Sequence, residues 1–496
     1  MYIFLLLFFG AILAFWKYNT RNKDYWKKRG VNTQIEGTTF KFLIGNCSLS
    51  EHYKKIYDEH PNEENVGIFQ GSRPAIILRN LENMQFVLAG DFLNFYSRGL
   101  TTNPEDTLAD NVLFMEEYPR WKLVRQKLSP VFTSLRLRNM FYIVERCASD
   151  FAKLLEENEK FREKPFNACY TYTTSALGAS VFGIDTTVNT MHSPFLDMAW
   201  KSLEPTFRAN FRFFLSNTFP FLFRLFKLKA FAEHEDFFIN VVRKMLANRR
   251  VDTKKHYDFI DICLELQNAG TMNDPTTGYS LEPTDEILAA QAFFFFIAGA
   301  DTSANTMHFT LLELSNNPKI LKKVHEEVDK VFDECGETLT HGDLENLGYL
   351  DMVLSEAMRK YPPVGLMQRR CTNDTVLPVG NVPVEKDSIM IVPIYAIHRD
   401  PKYWPNPEVF DPERFSPENA PKIKKYSYMP FGEGGRICLG VRFARQQVKA
   451  GLAWLLRRFT LAEQVYAPKH FEPSFFALRD PYATYELIPR YHAQKS

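Results

Sequence analysis

Residues 1–16 are apolar almost without interruption, and Lys17, Arg21, Lys23, Lys27, Lys28 and Arg29 follow directly. The run is shorter than the ~20 residues that span a bilayer comfortably. No charge precedes it, no small-residue cleavage site follows it, and Phe15-Trp16 closes it, which weighs against a cleaved leader. Trp16 and Tyr18 suit a membrane interface, and the basic cluster belongs on the cytoplasmic side. The pattern predicts an uncleaved anchor over residues 1–20 with its N-terminus lumenal. The alternative is a buried N-terminal helix, though few core helices are so uniformly apolar.

Beyond the anchor the periodicity is mainly helical. Helices are expected at about 116–129, 140–157, 347–360 and from Gly440 to about 458. The longest is expected to begin at Thr284, a residue type that caps helix N-termini, with Asp285 and Glu286 in its first turn. It should stop at Asn316-Asn317-Pro318. Short β signals lie between 376 and 393 and in the C-terminal tail. From 401 to 421 proline is too dense for regular helix or central strand. The expected fold class is mainly α with a smaller β part.

Composition narrows this further. The 496 residues are 45% hydrophobic, ample for a large core. No flexible linker, repeat or low-complexity tract divides them, so residues 21–496 read as a single domain. The net charge of +1 gives no reason to expect nucleic acid as a partner. Seven cysteines, irregularly spaced and without a CxxC, argue against a disulfide scaffold or a zinc site.

One cysteine stands apart. A lone Cys in an apolar setting is usually an inert thiol. Cys438 instead closes the run Phe431-Gly432-Glu433-Gly434-Gly435-Arg436-Ile437-Cys438-Leu439-Gly440. The glycines permit tight turns and close backbone approach. A helix is expected immediately afterwards, so a thiolate at Cys438 would sit near amide donors and a helix N-terminus. Arg436 can meet a carboxylate, and Phe431 can shield the sulfur. A dinucleotide-binding reading of Gly432-x-Gly434 fails, because the third glycine is misplaced and no βαβ unit follows.

This loop closely resembles the cytochrome P450 superfamily, whose haem loop reads Phe-x-x-Gly-x-Arg-x-Cys-x-Gly. The resemblance implies the cytochrome P450 fold, haem b as cofactor and Cys438 as the iron ligand, a thiolate that favours O–O cleavage. Other motifs follow in the family's order. In the long helix, Ala298-Gly299-Ala300-Asp301-Thr302-Ser303 interrupts the apolar run 293–297. By itself this could be a helix kink that merely fits its neighbours. The resemblance makes it the oxygen-activation groove, with Thr302 binding oxygen and a water, Asp301 relaying protons and Gly299 opening space. Glu356 and Arg359, with Arg414 of Pro412-Glu413-Arg414-Phe415, take a structural role. Trp121 and Arg125 would reach a haem propionate, as would Arg369; Arg370 stands next to it, and Arg98 is a weaker candidate. The motifs cover 121–440, and with the anchor the resemblance spans essentially the whole chain. It looks most like microsomal animal enzymes, particularly the insect detoxification branch. Two departures are a missing proline-rich hinge near 31–33 and Gly435, where many relatives have proline.

No flavin or nicotinamide motif is visible, so electrons must come from a partner. The resemblance implies an NADPH-dependent cytochrome P450 reductase, with cytochrome b5 as a second donor, on the endoplasmic reticulum membrane. Lys122, Lys127, Arg442, Arg445 and Lys449 could attract an acidic partner. The Phe-rich run 207–238 fits either a membrane surface or ordinary core. Phe295, Phe296, Ala298, Val364, Leu366, Met367 and Phe475-Phe476 suggest an apolar pocket without a charged anchor, suited to lipophilic substrates. Foreign toxins are the first reading and an endogenous steroid, fatty acid or terpenoid the second. A haem-thiolate isomerase or dehydratase would not need the Asp301-Thr302 pair. A non-catalytic haem sensor would not need the full motif set.

Overall fold

The long helix, Asp285–Asn316, runs through the middle of the protein in this computed structural model. The structure describes residues 9–10, 17, 22, 24–33, 47–184, 194–204, 206–336, 338–468, 470–474 and 477–490. The expected anchor therefore falls almost wholly outside the described residues, as do Phe475 and Phe476.

The Thr284 hydroxyl caps the long helix by accepting from the Ile287 N–H. The first turn carries Asp285 and Glu286, and Pro318 opens the next helix, Pro318–Cys335. Among the described residues this is the one helix long and apolar enough to cross a bilayer, and most of it is buried inside the protein. Its main neighbour is Pro165–Phe182, a helix whose buried residues lie on every side. That helix has no polar stripe, and so no 3.6-residue periodicity for sequence reading to detect. Gly299 marks the close approach of the two. A Cβ there would lie 2.8 Å from Leu177 Cδ1, and the Thr173 hydroxyl donates to the Ala300 carbonyl at 2.9 Å. The glycine costs about 1 kcal/mol of helix propensity, which the close packing offsets.

The other expected helices appear as Tyr118–Leu128, Ser134–Glu157, Gly348–Lys360 and Val441–Arg458. The second begins six residues before the expected 140, after an extended Thr133 that turns the chain into it. Residues 401–421 form turns and short 3-10 pieces, as their prolines require.

A four-stranded sheet flanks the helices, in the order Asn65–Gln70, Arg73–Leu78, Ile389–Val392, Met367–Arg370. The first pair is a hairpin turned at Gly71, which has φ +63°. The second and third strands run parallel, and the third and fourth antiparallel, with Arg369 opposite Met390. Side chains alternate across a strand, so Arg369 is fully buried while Arg370 turns outward to Glu116 and Asp387.

The Phe-rich run divides. Phe223, Phe231 and Phe238 are core, whereas Phe207, Phe221 and Leu225 on the helices Phe207–Thr218 and Pro220–Leu225, and Phe226 just after the second, are exposed.

Candidate active site

The loop carrying Cys438 is folded by its glycines. Gly432 and Gly434 both adopt φ +75°, and a Cβ on Gly434 would collide with the Leu88 carbonyl. A Cβ on Gly435 would come within 2.7 Å of the Phe92 ring, so a larger residue there needs that ring to move. The Cys438 N–H donates to the Phe431 carbonyl at 2.9 Å and the Ile437 N–H to Gly434 at 3.1 Å, closing the loop. The helix Val441–Arg458 starts directly after Gly440.

Cys438 is exposed, but onto a cavity inside the protein. Burial raises its thiol pKa, against the Gly440 N–H and the Arg125 and Arg98 charges. The amide and helix terminus expected from the sequence thus work in the right direction without overcoming desolvation. A thiolate here needs a stronger positive partner, as a bound metal ion would supply.

The loop is anchored from below by buried charge. Arg359 and Glu356 are fully buried and form a two-point pair, Nε to Oε2 at 2.7 Å and Nη2 to Oε1 at 2.8 Å. Arg414 approaches the same carboxylate at 3.4 Å, and the Asp411 N–H donates to it at 2.9 Å. Arg359 also donates to the His398 carbonyl at 2.8 Å. His398 carries the connection onward. Burial pulls its pKa down to about 3, so its ring is neutral and Nε2 accepts from the Met429 N–H at 2.8 Å. Met429 leads into the cysteine loop. Sequence reading missed His398, which has no motif of its own.

Beside the sulfur stands a group of arginines. Arg98, Arg125 and Arg436 line the cavity, with fully buried Arg369 close behind them. Burial and mutual repulsion lower Arg98 to about 10, Arg436 to about 8 and Arg369 well below its usual value. Glu116 is the carboxylate facing them, and Arg370 and Ser97 already hold it. Arg436 donates to the carbonyls of Tyr96 at 2.9 Å, Val112 at 3.2 Å and Met115 at 2.9 Å, and lies 4.1 Å over the Trp121 ring. It therefore ties the loop to residues 96–115, besides any carboxylate it meets. Arg125 donates to the Ile437 carbonyl at 2.6 Å.

This cluster is electrostatically incomplete. Buried cations require partners, yet Arg369 Nε and Nη2, Arg98 Nε and Trp121 Nε1 are buried without an acceptor among the described residues. A flat ligand bearing two carboxylates, with a metal ion for Cys438, would satisfy the donors and the sulfur together. Haem b has that chemistry, and the residues present fit it.

Another part of the wall belongs to the long helix. Ala298, Gly299, Asp301 and Thr302 line the same cavity. The Thr302 hydroxyl donates to the Ala298 carbonyl at 2.6 Å, which leaves its oxygen free to accept. Asp301 is buried and ion-paired with Arg479 of the C-terminal tail, Oδ1 to Nε at 3.3 Å. Burial raises the Asp301 pKa despite Arg479. Gly299 serves helix packing as well as cavity space.

The cavity holds about 470 Å³ and is mostly apolar. Phe295, Ala298, Val364, Leu366 and Met367 line it as expected. Phe296 is a correction: it is fully buried and turned towards the Phe182 and Phe238 rings, because its neighbour Phe295 takes the cavity side of the helix. A second correction concerns charge. Asp301, Arg479 and Glu204 all lie on the wall, which is not free of charged groups. Of the expected docking cations, Lys122 is paired with Asp274 and Arg445 with Asp351, while Lys449 is buried; Arg442 is exposed.

The family model for cytochrome P450 matches residues 39–486. The chain is 33% identical to cytochrome P450 6A1 of Musca domestica, across 96% of this chain and 95% of that protein. It is 32% identical to cytochrome P450 6j1 of Blattella germanica, across 95% and 94%. It is 30% identical to cytochrome P450 6a2 of Drosophila melanogaster, across 96% and 97%. With the cysteine loop, the unpaired buried donors and the polar notch facing one cavity, these matches establish that the chain belongs to the cytochrome P450 family, haem b monooxygenases of the kind found in insects.

Proposed function

We propose that this protein inserts one atom of O2 into lipophilic small molecules, foreign toxins in particular, using NADPH electrons delivered by a cytochrome P450 reductase. The observation that carries the reading is a largely apolar cavity with Cys438 on one wall and Asp301-Thr302 on another. When bound, haem b supplies the redox chemistry that reduces and splits oxygen.

The residues of the chain have separable roles. Cys438 ligates the iron. Arg98, Arg125, Arg369 and Trp121 hold the propionates, and Arg436 fixes the loop on which the ligand stands. The apolar walls exclude water and bind substrate through its hydrocarbon surface. Thr302, with its hydroxyl proton committed to Ala298, would accept a hydrogen bond from a water beside the cofactor. Asp301 hands on protons that the reaction consumes.

Residues 1–20 anchor the chain in the endoplasmic reticulum membrane, with 21–496 forming one cytosolic catalytic domain. The exposed Phe207, Phe221, Leu225 and Phe226 support a second membrane contact, since Arg208, Arg224 and Lys227 are interleaved with them. The helix Phe207–Thr218 also gives Phe213 to the cavity wall, so substrates could enter from the lipid. Cytochrome b5 is a second electron donor in this scheme.

The test is the carbon monoxide difference spectrum of the dithionite-reduced protein, for wild type and Cys438→Ala. A strongly red-shifted Soret band, lost in the variant, is expected. A folded, haem-loaded wild type without that band would refute Cys438 as ligand. Product formation dependent on NADPH and reductase then separates a monooxygenase from an isomerase.

A further inference from the structure

The cavity wall formed by residues 202–210 is rich in hydrogen-bond acceptors. Ser202, Glu204 and Asn210 all line the cavity there. The Ser202 hydroxyl gives its proton to the Met198 carbonyl at 2.8 Å, so its oxygen remains to accept. Asn210 Nδ2 donates to the Pro473 carbonyl at 3.1 Å, and among the described residues nothing donates to its Oδ1. Glu204 is exposed, and among the described residues no cation lies within ion-pair distance of its carboxylate. Its backbone is tied at both ends: the N–H donates to the Trp200 carbonyl at 2.9 Å, and the carbonyl accepts from Thr206 at 2.7 Å.

The cations around it are engaged elsewhere. Arg208 and Arg212 both turn to Glu233, at 2.7 and 3.1 Å. Lys201 faces His234. Arg479 senses Glu204, but its Nε already lies 3.3 Å from Asp301 and 3.5 Å from Glu472. Arg98, Arg125 and Arg436 gather beside Cys438, and Arg445 is paired with Asp351. Arg479 alone thus faces three carboxyl groups on this part of the wall. Positive charge and N–H donors are what it lacks.

A protonated amine brings both. An ammonium group donates hydrogen bonds and accepts none, which matches Glu204, Asn210 Oδ1 and Ser202 Oγ. An anionic ligand would be repelled here, and a plain hydrocarbon would leave these acceptors to water. Phe213, on the same helix as Asn210, also lines the cavity, and the face of its ring attracts cations. The remaining wall, with Phe114, Phe295, Val364 and Leu366, is apolar and takes up hydrocarbon.

We propose that Glu204 is a specificity-determining residue that, with Ser202 and Asn210, binds the ammonium group of lipophilic amines whose hydrocarbon part fills the cavity. The proposal rests on the monooxygenase reading and narrows its lipophilic substrates to organic bases. Glu204 binds substrate in this scheme and takes no part in the oxygen chemistry.

The test is equilibrium dialysis of the full-length, haem-loaded protein in lipid nanodiscs, at neutral pH and low salt, with empty nanodiscs as the reference. Two probes of the same shape are compared. One is 4-phenyl-N,N-dimethylbutylamine, a cation under these conditions; the other is (5-methylhexyl)benzene, in which CH replaces the nitrogen. Glu204→Gln should weaken amine binding about fivefold, the scale of an ion pair open to solvent, and hydrocarbon binding by less than about twofold. Glu204→Asp should keep most of the amine affinity, and added salt should shrink the difference between wild type and Glu204→Gln. Glu204→Lys should weaken the amine further and bind 5-phenylpentanoate more tightly than wild type does. Unchanged amine affinity in Glu204→Gln overturns the proposal. An equal loss for both probes also overturns it, since the variant would then have altered the cavity and not a charge contact. An amine-selective loss in a protein without NADPH-dependent turnover would instead remove the monooxygenase reading and leave the amine subsite standing.

Discussion

Trp121→Phe separates cofactor binding from protein stability. Trp121 is 4% exposed, and its Nε1–H is buried without an acceptor among the described residues. A buried donor left without an acceptor costs ~1–3 kcal/mol. Replacing indole by phenyl removes that cost, but also removes part of the ring that packs on Phe92 at 5.6 Å and under Arg436 at 4.1 Å. The lost packing and weaker cation–π contact are worth about 1–2 kcal/mol together. The two effects oppose each other, so the stability of the haem-free protein should change by less than about 1 kcal/mol. Haem binding should respond differently. A hydrogen bond to a charged acceptor contributes ~1.5–3 kcal/mol, so haem affinity should fall roughly ten- to a hundredfold. The assay is haem transfer to excess apomyoglobin, with urea denaturation of haem-free protein in parallel. Unchanged haem release, or a loss of haem-free stability equal to the loss of affinity, would refute the assignment of Trp121 to a propionate.

Other perturbations test the scaffold. Glu356→Gln leaves Arg359 buried without its carboxylate and should cost ~3–5 kcal/mol, read as a lower yield of folded, haem-loaded protein; a Glu356→Leu, Arg359→Leu double variant should cost less than the sum of its singles. Gly434→Ala forces a φ of +75° and a collision with Leu88, so haem incorporation should fail while the helical circular dichroism persists. Burial lowers both His398 and His308 to about 3, below the ~6.5 of an unfolded chain. The unfolded chain then binds more protons between those values, so stability rises with pH across that window and is lost as pH falls from about 6.5. His308→Gln should flatten the pH dependence of the urea midpoint between about pH 4 and 6.5, and an unchanged slope would contradict it.

Much of the site was legible because its chemistry is local. The cysteine loop turns through positive φ at Gly432 and Gly434, a local backbone requirement that glycine meets, although the close approach of Leu88 to Gly434 is not local. The long helix announced both ends through Thr284 and Pro318. Less local features were hidden. The helix Pro165–Phe182 is buried all round and shows no stripe. The hairpin Asn65–Leu78 had its signals, apolar runs either side of Gln70-Gly71-Ser72-Arg73, but no chemistry to draw notice.

The sequence by itself determined the class of the protein, the haem-binding loop and the order of its motifs, because each depends on residues close together along the chain. Only the tertiary structure decided which arginines stand together. Strand alternation buries Arg369 and turns Arg370 outward, and Arg98 joins Arg125 and Arg436 from a distant segment. It also decided that Phe295 rather than Phe296 faces the cavity, and that a tail arginine, Arg479, meets Asp301 across 178 positions of sequence. Electrostatic partnership depends on distance in space, and no spacing along the chain encodes it.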